Sequence, residues 1–262
     1  MEKLYVIKVG GNIIDDPVKL SSFLKDFSSI NEKKILVHGG GKLATKLADQ
    51  LGIRQKMIEG RRITDAETLK IITMVYAGYI NKNIVAQLQA SSCQAIGICG
   101  VDGNLIQAHK RNHPTIDYGY VGDIDKVSAE RFTQFLTLGF IPVIAPLTHD
   151  GKGLLLNTNA DTIAQEISKS MSASFEVTLI FSFEKSGVLS NADDDHSVID
   201  NINPESYKKL KEKKIIFAGM IPKLDNAFVA LDHGVKQVIV GKAEELRQLI
   251  VNAAGTKITN ET

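Results

Sequence analysis

The stretch Leu4-Tyr5-Val6-Ile7-Lys8-Val9-Gly10-Gly11-Asn12 decides the fold. An apolar, β-branched run of strand length ends in paired glycines. A helical stripe then follows at Leu20, Phe23, Leu24 and Phe27, spaced i, i+3, i+4, i+7. The same grammar recurs at Lys34 to Val37 and at Phe140 to Ile144. Strands alternating with amphipathic helices predict an α/β chain, a three-layer αβα sandwich around a mainly parallel open sheet. The middle reads differently: Gln55 to Ile58, Leu105 to His109, Tyr120 to Ile124 and Leu147 to Leu156 have hairpin character, with turn signals at Asp102-Gly103-Asn104 and Asp150-Gly151. These predict a β-hairpin lid around a site. Parallel grammar resumes with Val177 to Phe181 and Val235 to Val240, and a helix over Glu244 to Val251 closes the pattern. The change sets a boundary near Ala173, with lobes 1–173 and 174–262 sharing one sheet.

Composition narrows the function classes. With 262 residues, 44% hydrophobic and 23% charged, the chain can bury a full-sized core. A net charge of +1 supplies no bulk attraction to nucleic acid or anionic membrane, so anion binding has to be local. Cys93 and Cys99 lack metal-ligand spacing and predict a reduced interior. No signal peptide and no apolar stretch near ~20 residues is visible, which predicts a cytoplasmic protein.

Five constellations carry candidate chemistry. Lys8 shares a strand face with Leu4 and Val6, so it is either a snorkelling edge lysine or a paired cation beside the Gly10-Gly11 turn. His38-Gly39-Gly40-Gly41-Lys42 follows a strand and opens a helix, where backbone N–H groups attract anions; His38 reads as a supporting histidine. Gly60-Arg61-Arg62-Ile63-Thr64-Asp65 leads into a helix that Thr64 or Asp65 can cap, and an arginine there can fork onto a carboxylate. Asn157-Thr158-Asn159-Ala160-Asp161 opens another helix, with Asp161 in its first turn and the two asparagines as possible caps. Gly219-Met220-Ile221-Pro222-Lys223 opens a third. A lysine at the positive end of a helix is the wrong sign for stability and calls for an anion.

Gly39-x-Gly41-x-x-Ala44, with Glu59 twenty residues after Gly39, also fits a dinucleotide fingerprint, which keeps an NAD(P)-binding oxidoreductase as a rival. A P-loop and a Gly-x-Ser-x-Gly elbow are both absent from the sequence. No general base stands out. That fits a carboxylate acceptor, ionised at neutral pH, which attacks phosphorus without losing a proton.

In their order, Lys-x-Gly-Gly at 8–11, Val-His-Gly-Gly-Gly at 37–41, Gly-x-Arg-x-Thr at 60–64, Asn-x-Asn-Ala-Asp at 157–161 and Gly-Met-x-x-Lys at 219–223 resemble the amino acid kinase family over nearly the whole chain. The resemblance implies ATP-dependent phosphorylation of the γ-carboxylate of N-acetyl-L-glutamate, or of a close relative such as N-succinyl-L-glutamate, in arginine biosynthesis. It implies that Gly40, Gly41, Arg62 and Asn157 hold the acylated glutamate. Lys8 and Lys223 would stabilise the phosphoryl group in flight, and Asp161 would orient both. Gly10 and Gly11 would support the phosphates of ATP, with Mg²⁺ carried on the nucleotide. The nucleotide would lie along Glu184, Lys185, Ser186, Gly187, Val188 and Leu189 and along Ile215, Ile216 and Phe217, with Glu184 standing where many family members carry aspartate. Because the first strand begins by Leu4, the resemblance further implies a homodimer without arginine feedback.

Overall fold

Strand β1 (Glu2–Val9) shows how the layers arise. Tyr5, Ile7 and Val9 bury into one apolar cluster, while Leu4 and Val6 bury into another on the opposite face. A strand apolar on both sides belongs in the middle of a covered sheet. The computed structural model describes residues 1–58, 61–191, 193–213, 215–216 and 220–261, apart from the side chains of Arg61 and Pro222.

Among the described residues an eight-stranded sheet runs in the order β12 (Asn201–Ile202), β14 (Thr256–Ile258), β13 (Gln237–Lys242), β11 (Phe175–Phe183), β1, β2 (Lys33–His38), β8 (Ile141–Ala145) and β5 (Ala95–Cys99). All neighbouring pairs are parallel except β13 with β14. Helices Pro17–Ser28, Gly41–Gln50, Asn81–Ala90 and Leu246–Ile250 cover one face. The other is covered by Ala129–Thr137, Ala160–Met171, Pro204–Glu212 and Ile221–Asp232. Above the sheet stand the hairpin β3 (Lys56–Ile58) with β4 (Arg61–Ile63) and a four-stranded sheet in the order β10 (Leu155–Asn157), β9 (Leu147–His149), β6 (Ile106–Lys110), β7 (Gly122–Val127).

Several elements depart from the sequence reading, each for a local reason. Strand β5 carries Gly97 because Asn81 and Val85 press on it: a Cβ there would lie 2.0 Å from Asn81 Oδ1. Its small residues hide the strand signal. The expected strand at Tyr120 starts later, at Gly122, because Tyr120 is drawn aside to bridge two elements. Its N–H donates to Thr64 O at 2.6 Å, and its carbonyl accepts from Asn157 N–H at 2.8 Å. Helix Pro204–Glu212 has no apolar stripe; Asn203 and Ser206 start it with a reciprocal capping box. Lys34, 4% exposed, is a core lysine, donating to the carbonyls of Phe27 (2.9 Å), Ser28 (3.1 Å) and Ile30 (2.6 Å) at the end of helix Pro17–Ser28.

Candidate active site

Parallel pairing brings three strand ends level, with Val9 opposite both His38 and Ser182. Ligands in open α/β sheets bind at these carboxyl ends. The Gly10 N–H donates to Ser182 O at 2.9 Å, and a Cβ on Gly10 would stand 3.3 Å from that oxygen, so glycine lets the chain turn hard against β11. Nothing lies within 4 Å of a Cβ built on Gly11, which leaves its surface open.

At the end of β2, His38 is fully buried. Its Nε2 accepts from Asn81 Nδ2 at 3.1 Å, which fixes the proton on Nδ1, and that group donates to Gly39 O at 2.9 Å. Burial pushes the imidazole pKa down to about 4, so the ring is neutral and serves to orient the glycine turn. Gly40 has φ 141°, outside the range of L side chains, and a Cβ there would meet Ile80 Cδ1 at 2.1 Å. Ile80 and Tyr76 lie on a π-helical segment, Met74–Ile80, in the rod that runs from Ala66 to Ala90.

Arg62, on β4, reaches the same turn. Its Nη2 donates to Gly41 O at 3.0 Å and to Thr45 Oγ1 at 2.8 Å, while Nη1 bonds Gln55 Oε1. Asp65 caps the helix that follows by accepting from Thr68 N–H at 2.8 Å, which also holds its carboxyl below the ordinary range. Asn157 does not cap; its Nδ2 donates to Thr64 Oγ1 at 3.0 Å, tying β10 to β4. Asn159 is the cap instead, accepting from the N–H groups of Asp161 and Thr162.

That cap aims Asp161 at β1. Lys8 Nζ lies 2.8 Å from Asp161 Oδ1, with side chains 15% and 24% exposed and the Oδ1 atom itself buried. Burial works to raise the Asp161 pKa, yet the charges of Lys8 and then Lys223 outweigh it and hold the carboxyl below its ordinary value. Lys223, in the first turn of helix Ile221–Asp232, has no acid in that turn; its Nζ sits 5.0 Å from the centre of the Phe183 ring. Lys8 is thus paired with Asp161 directly, while Lys223 acts on the same carboxylate through its charge.

Gly40, Gly41, Arg62, Asn157, Asp161 and Lys223 line one open cleft of about 560 Å³. It is also lined by residues that the motifs do not single out, among them Met57, Tyr76, Arg111, Pro146 and Asn226. Arg111 sits in a basic stretch, His109-Lys110-Arg111, that reads as an exposed strand end.

The expected nucleotide segment lies beside this cleft rather than lining it. Glu184 Oε1 accepts from Asn12 Nδ2 at 2.7 Å, next to the Gly10-Gly11 turn. Lys185 pairs with Asp195 at 3.0 Å on the surface, and Ser186 follows on the same turn. Gly187 packs against Thr256, whose Oγ1 accepts from Val188 N–H at 2.7 Å. Val188, Leu189 and Ile216 are buried, and Ile215 N–H donates to Leu210 O at 3.1 Å. Phe217, Gly219, Glu59 and Gly60 lie outside the described residues. The dinucleotide reading of Gly39-x-Gly41-x-x-Ala44 finds no support in the relatives reported next, which are kinases.

The chain is 55% identical over 261 residues to an acetylglutamate kinase of Cytophaga hutchinsonii, covering 98% of this chain and 99% of that one. It is 54% identical over 247 residues to an acetylglutamate kinase of Phocaeicola vulgatus, covering 94% and 96%. Its fold is similar to that of an N-acetylglutamate synthase from Neisseria gonorrhoeae solved with coenzyme A and N-acetyl-glutamate, at a TM-score of 0.83 and 22% identity, covering all of this chain and 60% of that one. The amino acid kinase family model matches residues 3–242, a span that holds both glycine turns, Arg62 and the Lys8–Asp161–Lys223 cluster. Matched by that model over most of its length and by relatives at 54% and 55% identity, the chain belongs to the amino acid kinase family.

Proposed function

We propose that this chain transfers the γ-phosphoryl group of ATP to the γ-carboxylate of N-acetyl-L-glutamate, yielding an acyl phosphate and ADP in arginine biosynthesis. The observation that carries the reading is that Asp161, paired with Lys8 behind it, lines one cleft together with Lys223, Arg62 and the Gly40-Gly41 turn. The names of the relatives support the substrate.

In this reading a carboxylate oxygen attacks the γ-phosphorus, the bond to the β-bridging oxygen breaks, and its electron pair leaves with ADP. The acceptor is ionised at neutral pH, so no side chain has to remove a proton. Charge on the three equatorial oxygens then becomes the obstacle, and ammonium groups placed in advance lower it. Lys8 and Lys223 fill that role, with Asp161 holding them apart from one another's repulsion. Arg62 and Asn157 hold the α-carboxylate end, and the N–H groups of the Gly40-Gly41 turn face the acceptor.

ATP lies, in this proposal, on the 174–262 lobe, with Gly10 and Gly11 of the 1–173 lobe against its phosphates. Glu184 to Leu189 with Ile215 and Ile216 would form its bed; because Val188, Leu189 and Ile216 are buried, they would offer the nucleotide backbone groups. Asp161 is the one carboxylate among the described residues lining the cleft, and Lys8 already holds it, so Mg²⁺ fits as a passenger on the ATP phosphates. There the ion would neutralise charge between the β- and γ-phosphoryl groups.

We place the protein in the cytoplasm as a homodimer. Among the described residues no helix is long and apolar enough to cross a membrane. Exposed Met74 and Tyr79 rim a groove that Leu43 and Leu47 floor, apolar area that supports self-association and is checked by light scattering. The activity is tested by incubating the protein with ATP, Mg²⁺ and N-acetyl-L-glutamate and trapping the acyl phosphate with hydroxylamine. Hydroxamate formation is expected; ATP turnover that ignores the added amino acid derivative would refute the proposal.

A further inference from the structure

One contact near the glycine turn after β1 has no task in the chemistry above. Asn12 Nδ2 donates to Glu184 Oε1 at 2.7 Å, joining residues 172 positions apart. A carboxylate can only accept, so the amide turns its N–H side to Glu184. The contact extends a pattern. Backbone register between β1 and β11 ends with Val9 opposite Ser182, and beyond that point the two chain segments stay joined by other bonds. Buried Ser182 donates from Oγ to Lys8 O at 2.9 Å and accepts from Gly10 N–H at 2.9 Å. Phe183 stands against Gly10, where a Cβ would come within 3.6 Å of the Phe183 Cβ, and its ring lies 5.0 Å from Lys223 Nζ. Glu184 adds the outermost rung through Asn12. Three consecutive residues of the later half of the chain thus touch the Lys8 backbone, the glycine turn and Lys223.

The turn needs such a rung. Helix Gly11–Ile14 is one turn long, and Gly10 offers it no side-chain cap. Ile13 and Ile14 fix its far end in the core. Its near end is a pair of glycines, the residues with the widest backbone freedom, and Asn12 is the first side chain past them. A charge-assisted hydrogen bond to that side chain narrows the positions open to the turn. Left unpaired, a carboxylate beside a triphosphate would repel it, which favours the partner Glu184 has over a contact with phosphate.

We propose that Glu184 is a positioning residue: its side chain holds Asn12, and through it the Gly10-Gly11 turn, in place for the phosphates of ATP, and does not bond the nucleotide. This rests on the kinase reading and deepens it. The rival is a direct bond from Glu184 to a ribose hydroxyl, with the Asn12 contact an incidental surface pair.

The test is steady-state hydroxamate formation by wild type, Glu184→Ala, Asn12→Ala and the double variant, with ATP and N-acetyl-L-glutamate varied in turn. Each single variant is expected to lose about tenfold in kcat/KM for ATP and to leave the KM for N-acetyl-L-glutamate within about threefold. The double variant is expected to lose no more than the worse single one, because both remove the same bond. Glu184→Gln, whose amide oxygen can accept from Asn12, should lose only about threefold. The ratio of kcat/KM for ATP to that for 2′-deoxyATP should be the same in wild type and Glu184→Ala. Losses that multiply in the double variant overturn the proposal, as does an Asn12→Ala enzyme with wild-type kinetics. A ratio that collapses in Glu184→Ala assigns the carboxylate to the ribose and overturns it too. If wild type forms no hydroxamate, the reaction assignment falls on its own, and calorimetric titration of MgATP into the same four proteins still decides: affinities that no variant changes, or losses that multiply, sink the role of Glu184. Should an alanine variant fold poorly, Glu184→Asp keeps the charge and shortens the reach by a methylene; a loss of about tenfold is expected, and wild-type values refute the positioning role.

Discussion

Replacing Asp161 by asparagine keeps the shape of the side chain and deletes its charge, so it isolates what the carboxylate does for the two lysines. At 2.8 Å and an effective dielectric near 20, the gross attraction to Lys8 is about 6 kcal/mol. Desolvation cancels much of this, because both groups are mostly buried. Partial exposure of the pair also puts the net loss below the ~3–5 kcal/mol typical when a fully buried pair is broken. About 2 kcal/mol of stability is therefore expected to go, a fall of roughly 4–8 °C in Tm for a chain of this size. The helix start survives, since its cap is the side chain of Asn159. Catalysis should suffer far more than folding. Lys8 loses its partner and Lys223 a neighbouring opposite charge, and a shift of about 1 Å at a charge-stabilising group costs on the order of 100-fold in rate. The KM for ATP should not rise, because the cleft gains a positive charge. Steady-state kinetics by hydroxamate formation, beside thermal unfolding, reads all three quantities. A variant that loses stability and keeps kcat within about threefold would refute the reasoning, since the ion pair would then hold the fold without aligning the lysines. The sign with pH is fixed too: the folded carboxyl titrates below its ordinary 3.8, so the stability the pair contributes is complete above that value and drains as pH falls beneath it.

His38 predicts a second acid limb at higher pH. Its folded pKa is about 4 against an ordinary 6.5, so the unfolded chain takes up the proton first and stability falls as pH drops from 6.5 toward 4. Urea unfolding at pH 7 and pH 5 should differ by about 2 kcal/mol from this group, a difference that His38→Gln removes; an unchanged pH dependence in that variant would assign the limb elsewhere. Gly40→Ala forces a side chain into φ 141° and onto buried Ile80, and it is expected to cost at least about 2 kcal/mol and to raise the KM for the acylated glutamate. Wild-type stability and KM, read by urea unfolding and the same kinetic assay, would show that the π-helical segment yields and that the turn is not a fixed device.

What could be read from the sequence followed from rules that act over a few residues. Alternation put Lys8 on the face of Leu4 and Val6, and it is on that face that Asp161 meets it. Helix-start chemistry put Asp161 in a first turn and left Lys223 wanting an anion. Long-range pairings were invisible for the opposite reason. Arg111 bonds Asp123, twelve positions on, diagonally across the β6–β7 pair, whose register places Asp123 opposite His109. Asn157 looked like a cap, and its real bond to Thr64 spans 93 positions. Strand β5 was hidden because the helix above it demands glycine where a strand signal needs a β-branched side chain. Lys8, Asp161 and Lys223 sit at strand and helix ends, where local chemistry announces them. Residues whose partners come from another strand stand on the lid, where register decides, so they escape a reading that works along the chain.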